Sequence, residues 1–263
     1  MQKTHTISDM SHVHPEAKIG KNVHIGPFTY IEGDVEIGDN TWIGANVNIM
    51  DGSIIGEGCN IFPGAVIGAI PQDLKYQGEK TQAIIGNGTT IRECCTINKG
   101  TTDRNYTKVG DNCLLMAYVH VAHDAVVGNN CIIANSANIA GHVDIEDYVV
   151  IEGVVAIQQF VRIGKHSFIA GGSLVRKNVP PYIKAAREPL SYVGVNTIGL
   201  RRRGFDTEQV QRIEDIYRAI YVHNSNVTQA LIAADAELPK SEEKSVILDF
   251  INNSNKGVIR GPF

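Results

Sequence analysis

The sequence predicts a mainly β fold: a parallel β-solenoid of very short strands, followed by a small helical region. Three observations predict it. Aliphatic residues recur every six positions in one phase from Ile7 to Val175. A small or β-branched residue usually stands two positions before each of them, and Gly often follows. The run stops near Val179-Pro180-Pro181, and a helical pattern takes over.

The elements follow in order. Steps of six from Ile7 meet Val13 and then Ile at every stop from Ile19 to Ile67. The phase is lost between Ala69 and Gln82, returns at Ile85, Ile91 and Ile97, and is lost again around Asp103 to Lys108. It then runs from Val109 through Leu115, Val121, Val127 and Ile133 to Ile169 and Val175. Two before these stops lie residues such as Ala17, Val23, Thr29, Cys59, Ala65, Cys113 and Ala137. Each unit reads inward, outward, inward, corner, which is period-two strand alternation with a turn. A helix is excluded, because steps of six do not stay on one face at 3.6 residues per turn. Repeated strand-and-corner units stack as a solenoid. Residues 1–183 are assigned to it, with loops near 69–82 and 103–108. Proline cannot supply ladder hydrogen bonds, so the strands should end at the proline pair. Residues 184–263 then form a linker and a C-terminal helical domain. Asp206 and Thr207 suit a helix start, with Val210, Ile213, Ile216, Tyr217 and Ile220 on one face. Shorter helices are expected near Val227 to Leu238 and Ser241 to Asn252.

Composition narrows the function. The chain has 263 residues, 43% hydrophobic and 20% charged, which excludes a disordered chain. Its net charge of −4 argues against a nucleic-acid binder held by phosphate contacts. No membrane span or signal-peptide core is visible, so the expected compartment is the cytoplasm. Four of the five cysteines, Cys59, Cys95, Cys113 and Cys131, occupy inward positions and read as packing; Cys94 does not.

Stacking turns spacing into position, because residues 18 apart lie one rung apart, about 4.8 Å. His123 then sits under Gly141 and Gln159, and Asp124 under His142. His120 lies on the outward strand position below Asn138. His120, His123, His142, Gln158 and Gln159 therefore gather at one corner. With both interruptions looped out, Ile67, Ile97, Val121, Ile139 and Ile157 share a column, so both loops overhang that corner. The other corner histidines, such as His24 and His166, read as solvated. Three clustered histidines also suit a zinc site, as in a carbonic-anhydrase-like hexapeptide protein.

The stretches IGAIPQDLKYQGE, VHVAHDAVVGNN, IAGHV, VPPY and GVNTIGLRRRGF sharpen this reading. They resemble the UDP-N-acetylglucosamine O-acyltransferases, hexapeptide-repeat enzymes that begin lipid A synthesis. The resemblance spans nearly the whole chain and implies a left-handed parallel β-helix. It implies transfer of a (3R)-3-hydroxyacyl group from acyl carrier protein to the 3-hydroxyl of UDP-N-acetylglucosamine. It further implies a homotrimer with active sites at subunit interfaces, and no metal or organic cofactor. In this family pattern His123 matches the general base, Asp124 its orienting partner and Gly141 the oxyanion donor. Gln72, Asp73 and Lys75 match the sugar-nucleotide loop, while Asn196, Arg202 and Arg203 match groups near the UDP. His120 and His142 match the sugar and acyl region, and Gly171 the position that limits acyl length. Three residues depart from the pattern: Asn98 and Gln158 stand where relatives often carry His, and Ile198 where some carry Glu. Gln158 leaves open N-acylation of a UDP-3-amino sugar on the same fold. The hexads begin at Ile7, leaving no room for the N-terminal domain of the related N-acyltransferases.

Overall fold

A computed structural model describes residues 6–221 and 227–261. Three sheets form the walls of a prism. Sheet A has 11 strands, from Thr6–Ile7 up to Phe168–Ile169, Ile183–Ala186 and Ser191–Val195. Sheet B has nine, from His12–Val13 to Leu174–Val175, and sheet C has eight, from Lys18–Ile19 to Arg162–Ile163. Among the described residues, all strand pairings are parallel except that of Ile183–Ala186 with Ser191–Val195. The register is the repeat itself: Ile25 pairs with Ile43, Ile31 with Ile49, and Ile37 with Ile55. Each strand sends its aliphatic residue inward, and columns of Ile and Val fill the prism with almost no exposure. Burying each such side chain is worth roughly 1.5–3 kcal/mol.

Inward threonines solve a local problem. Thr29, Thr41 and Thr89 are buried, yet each hydroxyl donates to a carbonyl of the next rung and accepts an amide from it. No buried hydroxyl in this series is left unpaired, which a dry core requires.

The corners need left-handed backbone, and most of them are not glycine. Asn22, Asn40, Asn46, Asn112 and Asn130 take positive φ, as do Asp124, His142 and Phe160. Asn and Asp tolerate that region better than other non-glycine residues.

Both interruptions of the period leave from sheet B and return in sheet C. In sheet B, Ile67 pairs with Ile97, and Ile97 with Val121, so the column reads as the spacing requires. The second excursion, however, covers residues 99–105 rather than 103–108. Tyr106–Val109 is a strand, with Thr107 and Val109 buried on the core side. Nor do the prolines end the stack. Val179 still bridges to Ile163 and Ile183–Ala186 still pairs with sheet A, because Pro180 and Pro181 occupy a corner where no ladder donor is needed.

Four helices follow among the described residues: α1 (Thr197–Arg202), α2 (Thr207–Tyr221), α3 (Val227–Glu237) and α4 (Glu242–Asn252). The sequence reading had no counterpart for α1. Asp206 and Gln209 start α2 reciprocally, each side chain accepting the other's backbone N–H at 2.7 and 2.9 Å. The α2 face packs Val210, Ile213, Ile216, Tyr217 and Ile220 inward. The Tyr217 hydroxyl donates to the Pro181 carbonyl at 2.6 Å, which ties the helices over the upper end of the prism.

Candidate active site

The edge between sheets B and C gathers most of the candidate residues. His120–Val121 and Val126–Val127 are consecutive strands of sheets B and C, and His123 and Asp124 form the corner between them. Both are buried, His123 at 5% exposure and Asp124 at 0%. The His123 Nδ1 and Asp124 Oδ2 lie 2.8 Å apart, so Nδ1 donates to the carboxylate and Nε2 is the ring nitrogen left without a hydrogen bond among the described residues. The Asp124 amide donates to the hydroxyl of the inward Thr107 at 2.9 Å.

Asp124 is heavily satisfied. Oδ1 accepts from the amides of Thr101 and Arg104 at 3.0 and 3.2 Å. Oδ2 accepts from the Thr101 hydroxyl at 2.6 Å as well as from His123. Burial by itself would raise the carboxyl's pKa, but these hydrogen bonds outweigh it and hold the pKa below the usual carboxylate value. The residue is therefore a fixed anion.

Gly141 lies directly over His123. A Cβ there would fall 2.7 Å from Cε1 and 2.8 Å from Nε2 of the imidazole. Only a residue without a side chain permits this approach. The Gly141 N–H donates to no other described residue. His142 meets the His123 ring edge-on at 5.1 Å and stacks on Phe160 at 4.6 Å. Its Nδ1 lies 3.1 Å from Asp103 Oδ2, close in distance but not aligned for a hydrogen bond. His120 Nδ1 is 2.7 Å from the Thr96 hydroxyl. Burial, and then His123, lower the pKa of His120.

His123, Asp124 and His142 present ligand atoms within 4.8 Å of one another, the spacing of a metal site. The donor set fits a metal poorly, because both Asp124 oxygens are already occupied by two hydrogen bonds each.

The other candidate residues separate. Gln158 and Gln159 are exposed near the same edge, one rung above Ala140 and Gly141, and Lys256 donates to the Gln159 carbonyl at 2.6 Å. Asn98 is 2% exposed and turned to the backbone; its amide donates to the carbonyls of Ala69 and Ile70, at the root of the first excursion. Gln72 and Lys75 are exposed on that excursion with Asp73 between them, and Leu74 at its tip is fully exposed. None of the three loop residues bonds to His123 or Asp124 within the chain. Gly171 lies on the A–B edge, in the corner leading to Leu174.

Asn196 and Arg203 lie at the C–A edge. Asn196 caps α1, accepting from the Gly199 amide and donating to the His166 carbonyl at 2.9 Å. Arg203 stands over the Tyr148 ring at 5.1 Å, and Arg202 is exposed beside it. His166 is not solvated: it is 8% exposed, stacked between Tyr148 and Tyr182 and covered by Phe205. His24 likewise stacks on Trp42. Sequence reasoning missed Thr101, Asp103, Arg104 and Thr107. Only Thr107 carried a signal, its place two before Val109.

Comparison with known proteins places the chain. The family model described as UDP N-acetylglucosamine O-acyltransferase, domain 2, matches residues 178–259, and the bacterial transferase hexapeptide model matches 34–69 and 106–141. The acyl-[acyl-carrier-protein]–UDP-N-acetylglucosamine O-acyltransferase of Neisseria gonorrhoeae is 45% identical over 194 residues, which cover 73% of this chain and 75% of that protein. The chain belongs to the UDP-N-acetylglucosamine O-acyltransferase family. It is thus an acyltransferase built on hexapeptide repeats. The crystal structure of the family member from Bacteroides fragilis is 53% identical, with a TM-score of 0.96 over 97% of this chain and 100% of that one. The Arabidopsis UDP-N-acetylglucosamine acyltransferase is 32% identical, with a TM-score of 0.84 over 97% and 99%. The family fold therefore extends over the solenoid and the helices alike.

Proposed function

We propose that the protein transfers a (3R)-3-hydroxyacyl group from acyl carrier protein to the 3-hydroxyl of UDP-N-acetylglucosamine, the first step of lipid A biosynthesis. The observation that carries the mechanism is the His123–Asp124 pair under Gly141. Asp124 holds His123 as the Nδ1–H tautomer, leaving Nε2 to accept the proton of the sugar hydroxyl. The freed oxygen attacks the thioester carbonyl, and the carbonyl oxygen takes up negative charge. The Gly141 N–H, which has no partner among the described residues, is the donor for that charge. When the intermediate collapses, the C–S bond breaks and the imidazolium returns its proton to the leaving thiolate. Asp124 stabilises the imidazolium throughout. His120 and His142 flank the acceptor sugar, with Gln158 and Gln159 above them.

The assembly in this reading is a homotrimer with its sites between subunits. Two features support it. The loop that carries the sugar-nucleotide residues Gln72, Asp73 and Lys75 exposes Leu74 fully and makes no hydrogen bond to its own His123 or Asp124. Arg203 packs on Tyr148, which follows His142 by one strand, so the two edges lie at nearly the same height. Rotation about an axis parallel to the prism keeps heights, so Asn196, Arg202 and Arg203 of one copy meet the histidine edge of the next. Leu114, Ile132, Val150 and Phe168 form an outward apolar stripe on sheet A for such packing. The acidic carrier docks by charge near the upper end, where Arg176, Lys177, Arg187 and Arg260 line a cavity of about 440 Å³ with Leu174 and Leu190. Gly171 leaves the acyl groove open to a long chain. The compartment is the cytoplasm; among the described residues no helix is long and apolar enough to cross a membrane.

The test is product analysis. Hydroxyacyl carrier proteins of several chain lengths are mixed with UDP-N-acetylglucosamine and, in parallel, with its 3-amino analogue. An alkali-labile ester from the hydroxyl sugar, lost by about 10²–10⁴-fold in His123→Ala, is the expected result. An alkali-stable amide, or undiminished turnover without His123, defeats the reading.

A further inference from the structure

The second excursion, residues 99–105, folds back onto the candidate base pair. Gly100 makes the turn possible, since a Cβ there would lie 2.4 Å from the Tyr106 nitrogen. The Asn105 amide donates to the Thr101 carbonyl at 2.8 Å and closes the loop. Arg104 fastens it to the next rung through a bidentate pair with Asp144. These contacts bring Thr101 to Asp124 with both its donors.

Asp124 Oδ2 has two histidines within reach. His123 Nδ1 is 2.8 Å away and His142 Nε2 is 3.9 Å away. A carboxylate is free to turn about its bond to Cβ, and a small rotation moves Oδ2 from one ring toward the other. The Thr101 hydroxyl, 2.6 Å from that same oxygen, and the Thr101 amide, 3.0 Å from Oδ1, fix both ends of the carboxylate. We propose that Thr101 is a positioning residue for the reaction, holding the Asp124 carboxylate on the His123 side so that the imidazole keeps its working tautomer and orientation.

The inference rests on the proposed roles of His123 and Asp124 and extends them to a residue that acts through the Asp124 carboxylate. Its hydroxyl works in a site closed to water, where a hydrogen bond to a charged group has about twice the strength of a neutral one. Backbone amides remain on Oδ1 in any side-chain variant, so the carboxylate stays paired and buried.

The experiment compares Thr101→Val, Thr101→Ser, Asp124→Asn and the double variant Thr101→Val/Asp124→Asn in the intact protein. Thr101→Val should lower kcat by about 10–100-fold, with KM for UDP-N-acetylglucosamine changed less than about twofold. Thr101→Ser, which keeps the hydroxyl, should stay within about threefold of the parent. In the Asp124→Asn background, Thr101→Val should cost less than about twofold more, because two groups that act as a unit are not additive. The inference is overturned if Thr101→Val keeps the parent kcat, if Thr101→Ser falls as far as Thr101→Val, or if the two losses multiply. Should Thr101→Val not fold, Thr101→Ala takes its place in the same cycle. If Asp124→Asn alone keeps the parent kcat, the base-pair reading fails and this inference with it. If Asp124→Asn falls while Thr101→Val does not, only this inference fails.

Discussion

A single methyl group placed on Gly141 should disable the site while leaving the prism standing. The perturbation is Gly141→Ala. The new carbon would sit 2.7, 2.8 and 3.2 Å from Cε1, Nε2 and Nδ1 of His123. Comfortable contact between such atoms begins at ~3.5 Å, so the imidazole must retreat by about 0.8 Å. It has little room to do so. Its Nδ1 is held by Asp124 at 2.8 Å, and its face meets His142 at 5.1 Å. The retreat therefore bends the Asp124 bond and moves Nε2 off the line to the acceptor hydroxyl. Misplacement near 1 Å costs on the order of 10²-fold in rate. The backbone does not oppose the change, because Gly141 is not among the positive-φ glycines. A stability loss no greater than roughly 1–2 kcal/mol is expected from the local clash. The assay is release of free carrier-protein thiol at saturating UDP-N-acetylglucosamine, with thermal unfolding followed in parallel. A kcat within about threefold of the parent, in a protein that still melts cooperatively, would refute the close contact as a determinant of catalysis.

Three further expectations concern other parts of the molecule. If Arg203 of one subunit completes the His123 site of the next, His123→Ala and Arg203→Ala chains co-assembled in equal amounts should regain about a quarter of the parent activity, and no regain in mixed trimers contradicts shared sites. His166 has its pKa pushed down to about 4 by burial, and then by Arg203 and Lys165, against an ordinary 6.5. Unfolding therefore takes up a proton below that value, so stability falls as pH drops from about 6.5 to 4, by up to roughly 3 kcal/mol. His166→Asn, which suits the corner's φ of 60°, should flatten that acid decline of Tm; an unchanged slope counts against it. Val154 is a β-branched residue held at φ 59° and 69% exposed. Val154→Asn should relieve backbone strain of about 1 kcal/mol and raise Tm by a few degrees, and an unchanged or lower Tm refutes the strain.

Much of this was legible because a solenoid makes position an arithmetic function of sequence. The phase of the aliphatic residues sufficed to put Ile67, Ile97, Val121, Ile139 and Ile157 in one column, and His123 under Gly141. What escaped was whatever leaves the repeat. Thr101 and Arg104 reach Asp124 from a segment with no period, so no spacing rule foretells their amides. The start of Tyr106–Val109 was hidden by its polar outward residues, although Thr107 kept the inward pattern. His166 looked like any corner histidine. Its burial depends on Tyr182 and on Phe205, which the tail brings back from beyond the prolines. Asn98 reads as a ligand contact by family position; its Nδ2 donates to the carbonyls of Ala69 and Ile70, while its buried Oδ1 has no partner among the described residues.

The two ends of the prism differ, and this has a consequence for how the molecule opens. Below the rungs that meet the tail, the strands of each rung pair with the rungs above and below, so stability accumulates along the stack from neighbour to neighbour. The upper end is covered by the antiparallel strand Ser191–Val195 and by α2, with Tyr217 anchored to Pro181. The lower end lacks such a cover among the described residues, and Ile7 there is 39% exposed. Transient opening should therefore start at the N-terminal coil and work upward, rung by rung. Five rungs of sheet B stand between that end and His120. Amide exchange should slow along this path, fast at Thr6 and His12 and slowest near Val121, so the lower coils loosen and reclose without the His123 corner ever coming apart.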